Sequence, residues 1–329
     1  MRQRLSRFCA LLCVLSGFVA FQFTGVTAQT PPQPATSAAG EDEYTLDVVN
    51  VSLPVTVLDR EGRFIPNLGQ NDFEVFENKR RQPIIAFQRR DGLALNVAIL
   101  MDTSTSVRYR LAFEREAITE FLSKLLDNRR DQASFVTFDD EPRIRAGFTN
   151  DFQQLARVVN SVTTANGRTA LYDAVKKVCL EQMPSASTRR RAILLVTDGG
   201  DTASETTLDE AIAIAQRTEV TIYAISTKGG GVFRVEGNPY FNLDDRKLKR
   251  LCKETGGDVF FPSDSKQTKR AFDLAKEYLR NQYFLVYEPR DGRTGKHFRE
   301  IEVRVPKYRD ARVLTRRGYF PAGPAADAN

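Results

Sequence analysis

The chain has few of the side chains on which hydrolytic and nucleotide-dependent enzymes depend. It has one histidine, His297, among 329 residues. This histidine lies among alternating strand residues, and no G-x-S-x-G sequence is present, so a Ser-His-Asp triad is not supported. A G-x-x-x-x-G-K-[ST] phosphate loop is also missing, which argues against nucleotide hydrolysis.

The first 28 residues have the pattern of a secretory signal peptide. Three arginines precede an apolar stretch at 8–20, and Val26, Thr27 and Ala28 provide small residues at the cleavage position. We therefore expect an exported protein, either periplasmic or secreted. The alternative is an uncleaved segment, in which residues 8–26 anchor the chain in a membrane.

Removal of this segment changes both the charge and the cysteine count. The three arginines of this segment account for half of the formal charge of +6. The mature chain keeps 45 basic and 42 acidic residues and therefore has a formal charge of +3. The remaining arginine clusters have no interleaved aromatic residues, and we expect no nucleic-acid partner. Cys179 and Cys252 each fall on the apolar face of a predicted helix, which favours two buried thiols over a disulfide.

Both ends of the mature chain contain strand patterns. Residues 29–43 are rich in Pro, Ala, Ser and acidic residues and predict a flexible leader, and residues 321–329 predict a disordered tail. Residues 44–92 and 282–320 alternate between apolar and polar side chains, as antiparallel strands do. Because each segment is too small for its own core, we predict one antiparallel β module made from both ends. Two independent fragments are the alternative.

Residues 93–281 alternate strands with helices. The segments 95–101 and 192–196 are almost continuously apolar, as in central parallel strands that are covered on both faces. A short turn separates 132–138 from 143–148 and predicts a hairpin. The predicted fold is α/β: a doubly wound, mostly parallel six-stranded sheet with helices on both faces, inserted in the β module.

Oxygen-bearing side chains follow the buried strands of this segment. Asp102 ends the first strand and begins an alternation with Ser104 and Ser106, Thr169 opens a later helix, and Asp198 ends another buried strand. Because these points share the carboxyl edge of the sheet, we expect all five side chains to lie near its switch point. Two carboxylates and three hydroxyls suit a hard divalent cation, and nothing in this set suits zinc or copper.

The charge of this set indicates what a bound ion would do. Two carboxylates neutralise a divalent cation, while neutral hydroxyls fill further positions and leave the ion electrophilic toward a carboxylate from outside. The expected partner is therefore a protein that offers an Asp or Glu side chain. For the first stretch alone there is an alternative, in which Ser104 or Ser106 caps the following helix.

These five positions, in this order and on these elements, resemble the metal-ion-dependent adhesion site of von Willebrand factor A domains. The resemblance covers roughly residues 93–281 and implies Mg²⁺, with Mn²⁺ or Ca²⁺ also possible. It implies that Ser104, Ser106 and Thr169 bind the ion directly, and that the two carboxylates act partly through water. The implied function is protein binding and cell adhesion without catalysis.

The flanking sequences narrow the resemblance. They are similar to the exported bacterial group called VWFA-related acidobacterial proteins, in VTVLDREGRFIP at 55–66, DFEVFE at 72–77, ETGGDVFF at 254–261 and RRGYF at 316–320. One departure is Arg168, where many such proteins have a second glycine. The arginine places a cation beside Thr169, which either attracts an acidic partner or pairs with Asp173.

Two other functions share parts of this pattern. A phosphotransferase of the haloacid dehalogenase type also has an aspartate at a strand end, but it needs a carboxylate where this chain has Ser104. A structural envelope protein without a metal-dependent ligand would keep the same fold.

The Gly-rich loop at 228–242 leaves a strand at the carboxyl edge of the sheet, where the predicted metal site lies. We predict that Phe233, Arg234 and Tyr240 help to set partner choice.

Overall fold

The computed structural model describes residues 50–89, 94–126, 130–228, 239–290 and 297–321, without the side chains of 239–242. The predicted signal peptide, leader and tail therefore lie outside the described residues, apart from Pro321. The same is true of Phe233, Arg234 and the side chain of Tyr240. No helix within the described ranges is long and apolar enough to cross a membrane.

The described residues form fourteen strands and six α-helices. The strands are β1 (Val51–Leu58), β2 (Glu74–Glu77), β3 (Arg80–Gln82), β4 (Ile84–Gln88), β5 (Asn96–Asp102), β6 (Gln132–Phe138), β7 (Pro142–Thr149), β8 (Arg191–Thr197), β9 (Val220–Ser226), β10 (Val259–Phe260), β11 (Tyr283–Tyr287), β12 (Arg299–Arg304), β13 (Arg312–Leu314) and β14 (Gly318–Tyr319). The helices are α1 (Leu111–Leu125), α2 (Phe152–Asn160), α3 (Leu171–Lys177), α4 (Leu208–Arg217), α5 (Pro239–Thr255) and α6 (Ser265–Arg280).

The central sheet has six strands in the order β10-β9-β8-β5-β6-β7. All neighbours are parallel except β7, which returns antiparallel to β6 as the second strand of the predicted hairpin. The strands β5, β8 and β9 have almost no exposed side chains, which agrees with their unbroken apolar sequences. The doubly wound, mostly parallel six-stranded sheet predicted from the sequence is therefore confirmed.

Helices cover both faces of this sheet, and each face has its own apolar core. Buried side chains of α1, α2 and α6 pack on one face, and those of α3, α4 and α5 pack on the other. Cys179 and Cys252 lie in the second core as free, buried thiols, as predicted. Burial raises the pKa of the Cys179 thiol to about 12, so it stays protonated and unreactive near neutral pH.

Three of the six helices begin at capping residues that are visible in the sequence. Asp151 caps α2, Asp264 caps α6, and Thr207 forms a capping box with Glu210 at the start of α4. The helix predicted for 170–182 is shorter than expected, because its regular part ends at Lys177 and continues as a single wider π-helical turn.

The two ends of the chain form two antiparallel four-stranded sheets around a third core. One sheet has the order β13-β1-β11-β4 and the other β14-β12-β2-β3, so N-terminal strands pair with C-terminal strands in both. These additional sheets at the ends of the chain were predicted as part of the fold class. The limits 44–92, 93–281 and 282–320 remain predictions.

One predicted strand of this module is wrong in detail. The segment 312–319 forms two short strands, β13 and β14, in opposite sheets. The chain changes sheet at Arg316, whose buried guanidinium donates to the Ser52 carbonyl at 2.9 Å and pairs with Glu219 at 3.2 Å. A buried charge with these fixed partners prevents one continuous, regularly alternating strand.

Candidate metal centre

The predicted site lies at the carboxyl edge of the central sheet, where the chain changes winding direction. Asp102 is the last residue of β5, and Asp198 directly follows the neighbouring parallel strand β8. The chain leaves β5 toward β6 on one side and leaves β8 toward β9 on the other. Such switch points open a crevice between two diverging loops.

A cavity of about 810 Å³ occupies this crevice. Four of the five predicted site residues line it, namely Ser104, Ser106, Thr169 and Asp198. The fifth, Asp102, has no solvent-exposed surface and lies close enough to Asp198 for the two charges to repel. The three loops predicted from the sequence therefore meet at one place.

Asp102 is held rigidly beneath the cavity. One carboxylate oxygen accepts a hydrogen bond from the Ser104 amide at 2.8 Å, and the other accepts from the Thr197 hydroxyl at 2.7 Å. Burial, and then the charge of Asp198, raise its pKa to about 6. Because both oxygens already accept one hydrogen bond, this carboxylate is better suited to orient water or a hydroxyl ligand than to attack a substrate.

The two serines follow as a short turn and not as a helix cap. Thr105–Val107 form one 3-10 turn, and α1 begins only at Leu111, after Arg110. Ser104 makes no side-chain capping bond to this turn, and α1 has Arg110 at its N-cap and no side-chain cap, so the alternative in which either serine caps the helix is wrong. Instead the two serine hydroxyls are hydrogen-bonded to each other, with their oxygens 3.0 Å apart.

This spacing fits two ligands of one small cation. Mg²⁺ takes six oxygen ligands at about 2.0–2.1 Å, so adjacent ligands of its octahedron lie about 3.0 Å from each other. The nearby donors are two carboxylates and a further hydroxyl, which are hard oxygen ligands. Among the residues that the structure describes, no group of three His, Cys, Asp or Glu side chains is suited to a metal. The candidate site therefore depends on the hydroxyls.

Thr169 is fixed by the loop that carries Asp198. Its amide donates to the Thr202 hydroxyl at 3.0 Å, and its carbonyl accepts from the amides of Thr202 and Ala203 at 2.9 and 3.0 Å. The first loop is attached in turn, because the Thr105 amide and hydroxyl both donate to the Gly167 carbonyl. The three loops form one hydrogen-bonded unit.

Asp201 and Ser204 strengthen this unit, and sequence reasoning missed them. The Asp201 carboxylate accepts from the Leu171 amide at 2.9 Å, and the Ser204 hydroxyl accepts from the amides of Tyr172 and Asp173 at 3.0 and 3.1 Å. They satisfy the amides at the start of α3 from a different loop. Their only sequence signal is an acid and a serine after a strand, which does not specify a distant partner.

Three cationic side chains also line the cavity. Arg110 donates to the Lys228 carbonyl at 2.7 Å, and the Lys228 ammonium lies 3.2 Å from Asp245. Arg168 pairs with Asp140 at 3.0 Å. The predicted alternative pairing of Arg168 with Asp173 is wrong, because the Asp173 carboxylate accepts from two loop amides, those of Glu205 and Thr206, at 2.9 Å each.

Glu114 is a buried acid close to the site that the sequence did not single out. It lies on α1 and is 1% exposed, and neither carboxyl oxygen makes a hydrogen bond to the described residues. Burial raises its pKa to about 8, and the charges of Asp102 and Asp198 act in the same direction. The Thr227 hydroxyl and Arg110 oppose this rise. Glu114 is therefore mostly protonated at neutral pH.

Residues 96–274 match the von Willebrand factor type A domain family. The match covers more than half of the chain, so the protein belongs to this family. Domains of this type often mediate protein–protein interaction and metal-dependent adhesion, and most members are adhesion or structural proteins and not enzymes.

Individual relatives are distant. An uncharacterized protein of Borreliella burgdorferi is 24% identical over 187 residues. This match spans 54% of the length of that relative. BatB from Bacteroides thetaiotaomicron is 18% identical with a TM-score of 0.45, covering 57% of this chain and 100% of that one. Proximal thread matrix protein 1 from the mussel byssus, solved with a zinc-occupied MIDAS motif (metal-ion-dependent adhesion site), is 18% identical with a TM-score of 0.47. The match covers 62% of this chain and 49% of that one.

Proposed function

We propose that this protein is an exported adhesion module that binds Mg²⁺ and uses it to engage an Asp or Glu side chain of a partner protein. The ion is held by Asp102, Ser104, Ser106, Thr169 and Asp198. The observation that carries the proposal is the meeting of three mutually hydrogen-bonded loops at the switch point, with two serine oxygens 3.0 Å apart. Mn²⁺ and Ca²⁺ are alternative occupants.

The protein side chains have distinct tasks in this proposal. Ser104, Ser106 and Thr169 supply neutral oxygen ligands, while Asp102 and Asp198 supply negative charge without closing the site. The bound ion supplies an electrophilic position for an external carboxylate. Asp102 also orients the Ser104 turn through the Ser104 amide, and Thr197 holds its other oxygen. The cavity leaves room above the hydroxyls for a side chain of the partner.

The alternatives gain less support from the site. An aspartate nucleophile needs an accessible oxygen and a nearby general acid, whereas Asp102 is fully buried and Ser104 occupies the position of that acid. Family membership makes non-enzymatic adhesion the better starting point. A structural envelope protein without a metal-dependent ligand remains the alternative that the following experiment excludes or supports.

The first test removes two hydroxyl ligands together. Mg²⁺ should bind the unchanged chain, and the double variant Ser104→Ala/Ser106→Ala should lose at least tenfold in affinity, because two of three direct ligands are gone. Isothermal titration measures this, with Mn²⁺, Ca²⁺ and Zn²⁺ as competitors. The control is Ser123→Ala/Ser161→Ala, two exposed serines that donate only to main-chain carbonyls. Equal Mg²⁺ affinity in both double variants would refute the site.

The second test concerns the partner. Affinity capture from the native envelope fraction should recover a partner in Mg²⁺ and lose it with a chelator. The Ser104→Ala/Ser106→Ala variant should capture nothing under either condition, whereas the control variant behaves like the unchanged chain. If the partner stays bound in the presence of the chelator, the structural alternative is favoured over metal-dependent adhesion.

A further inference from the structure

Arg168 differs from the other cations of the cavity in how its side chain is held. Its main-chain amide and its Nε both donate to one Asp140 carboxylate oxygen, at 3.3 and 3.0 Å. The side chain is 69% exposed and lines the cavity next to Thr169. The amide hydrogen bond fixes Asp140 beside the main chain of Arg168, and the Nε hydrogen bond restricts a side chain that is otherwise open to solvent.

Gly167 makes this arrangement possible. It has φ of +82°, and a Cβ atom at this position would lie 2.2 Å from a carboxylate oxygen of Asp140. The glycine thus allows Asp140 to approach the main chain beside Arg168. Exposed ion pairs contribute little to stability, so the close approach is better explained by what it does to the position of the arginine.

The other two cations in the cavity are already engaged by the protein. Arg110 donates to the Lys228 carbonyl, and the Lys228 ammonium lies between Asp244 at 3.6 Å and Asp245 at 3.2 Å. Arg168 is paired with Asp140 through Nε, but its two terminal nitrogens donate no hydrogen bond within the part of the chain that the structure describes. These two nitrogens are the donors that remain available to a ligand.

We propose that Arg168 binds a second carboxylate of the partner, so that the module selects segments with two neighbouring acidic side chains. One carboxylate engages the ion, and the other engages the terminal nitrogens of the guanidinium, whose planar geometry matches a carboxylate. Asp140 is the positioning residue for this contact. The inference rests on the proposed metal-dependent function and adds the chemistry of the partner to it.

Synthetic peptides of glycine and serine that contain one glutamate, or two separated by zero, one or two glycines, test this directly. In Mg²⁺, the best two-glutamate peptide should bind the unchanged chain about tenfold more tightly than the one-glutamate peptide, the effect of one charge-assisted hydrogen bond. In Arg168→Gln the ratio should fall to about two, the statistical factor for two equivalent glutamates. Arg168→Lys should lie between these ratios, because the planar pair of donors is lost.

Two further variants separate a specific contact from general attraction of charge. Arg143→Gln removes the same charge from a nearby residue that pairs with Asp139 and does not line the cavity, so the ratio should stay near ten. Asp140→Ala removes the acceptor of both hydrogen bonds and makes the region more positive, and long-range attraction alone would raise the ratio. The proposal requires the ratio to fall, because the guanidinium is no longer held.

The outcomes distinguish this inference from the function on which it rests. Mg²⁺-dependent binding of the one-glutamate peptide, with a ratio of about two in the unchanged chain, overturns the role of Arg168 and leaves the metal site standing. An equal loss of the ratio in Arg143→Gln also overturns it. Absence of any Mg²⁺-dependent peptide binding overturns the proposed function and this inference together.

Discussion

At the scale of single residues, the site depends on contacts that position the ligands as much as on the ligands themselves. Thr169 occupies its place because the Thr202 hydroxyl accepts from its amide, and the amides of Thr202 and Ala203 donate to its carbonyl. Asp201 then holds the first amide of the helix that follows. A ligand set read from the sequence is therefore incomplete without the groups that fix its geometry.

Asp201 provides a test of this positioning. Asp201→Ala should lower the free energy of unfolding by about 1 kcal/mol, the usual cost of losing a helix-capping side chain, although it acts here from another loop. It should also weaken Mg²⁺ binding several-fold, because Thr169 directly precedes the affected turn. Urea unfolding and isothermal titration measure the two effects.

The matched control for this change is Asp209→Ala. Asp209 is an exposed acid on α4 that pairs only with Arg250 on the surface, so its loss should leave Mg²⁺ affinity unchanged. If Asp201→Ala lowers stability but binds Mg²⁺ like the control, the residue caps α3 without positioning Thr169.

At the scale of elements, α1 carries a buried acid behind the site. In the folded chain the pKa of Glu114 is about 8, so its carboxyl stays protonated up to about that pH. In the unfolded chain the carboxyl has its ordinary pKa of 4.5 and loses the proton above pH 4.5. The folded state therefore binds more protons between these values, and the free energy of unfolding should fall as pH rises through this window. A single group contributes up to about 1.4 kcal/mol per pH unit.

Glu114→Gln should remove much of this slope, because a neutral amide of similar shape replaces the titrating acid. Asp102, whose pKa is raised to about 6, contributes a slope of the same sign that fades above pH 6, so the effect of Glu114→Gln should be clearest between pH 6 and 7. Urea unfolding at pH 5, 6 and 7 in the presence of a chelator measures it. Glu116→Gln, on the exposed side of the same helix in an ion pair with Lys269, should keep the full slope. An unchanged slope in Glu114→Gln would show that this carboxyl does not titrate as described.

At the scale of the whole molecule, the β module depends on strands from both ends of the chain. β1 pairs with β11 and β13, and β2 pairs with β12. Glu77 on β2 also accepts hydrogen bonds from Tyr287 at 2.6 Å and Tyr319 at 2.9 Å, and pairs with Arg299 at 2.8 Å. Removing the C-terminal end therefore leaves this buried acid without these partners, and removing either end leaves apolar strand residues without their neighbours.

A chain that ends after Asn281 should consequently aggregate or lose β1–β4, because β1 loses both neighbouring strands, β11 and β13, and the apolar side chains Val51, Leu53 and Val55 become exposed. Light scattering and limited proteolysis measure this outcome. A chain that ends after Pro321 retains every described strand and should remain monodisperse. Equal behaviour of the two truncated chains would contradict a module built from both ends.

The elements of the central sheet, its six strands and its mostly parallel character could be predicted from the sequence, whereas the strand order was read from the structure. Continuous apolar strands, amphipathic helices and the short hairpin turn are local signals, and they act in the same direction as the final packing. The order of Asp102, Ser104, Ser106, Thr169 and Asp198 could also be read in advance, because parallel strands bring their carboxyl ends to one edge. Whether these residues bind a metal remains a prediction.

The groups that hold that site together could be identified only from the folded structure. Asp140 as the partner of Arg168, Asp201 and Ser204 at the start of α3, and Glu114 behind Asp102 all depend on contacts between segments distant in the chain. The change of sheet at Arg316 has the same origin, since its partners come from β1 and the turn before β9. Such contacts leave no periodic signal, because hydrogen bonds and burial between remote segments depend on three-dimensional distance and not on spacing along the sequence.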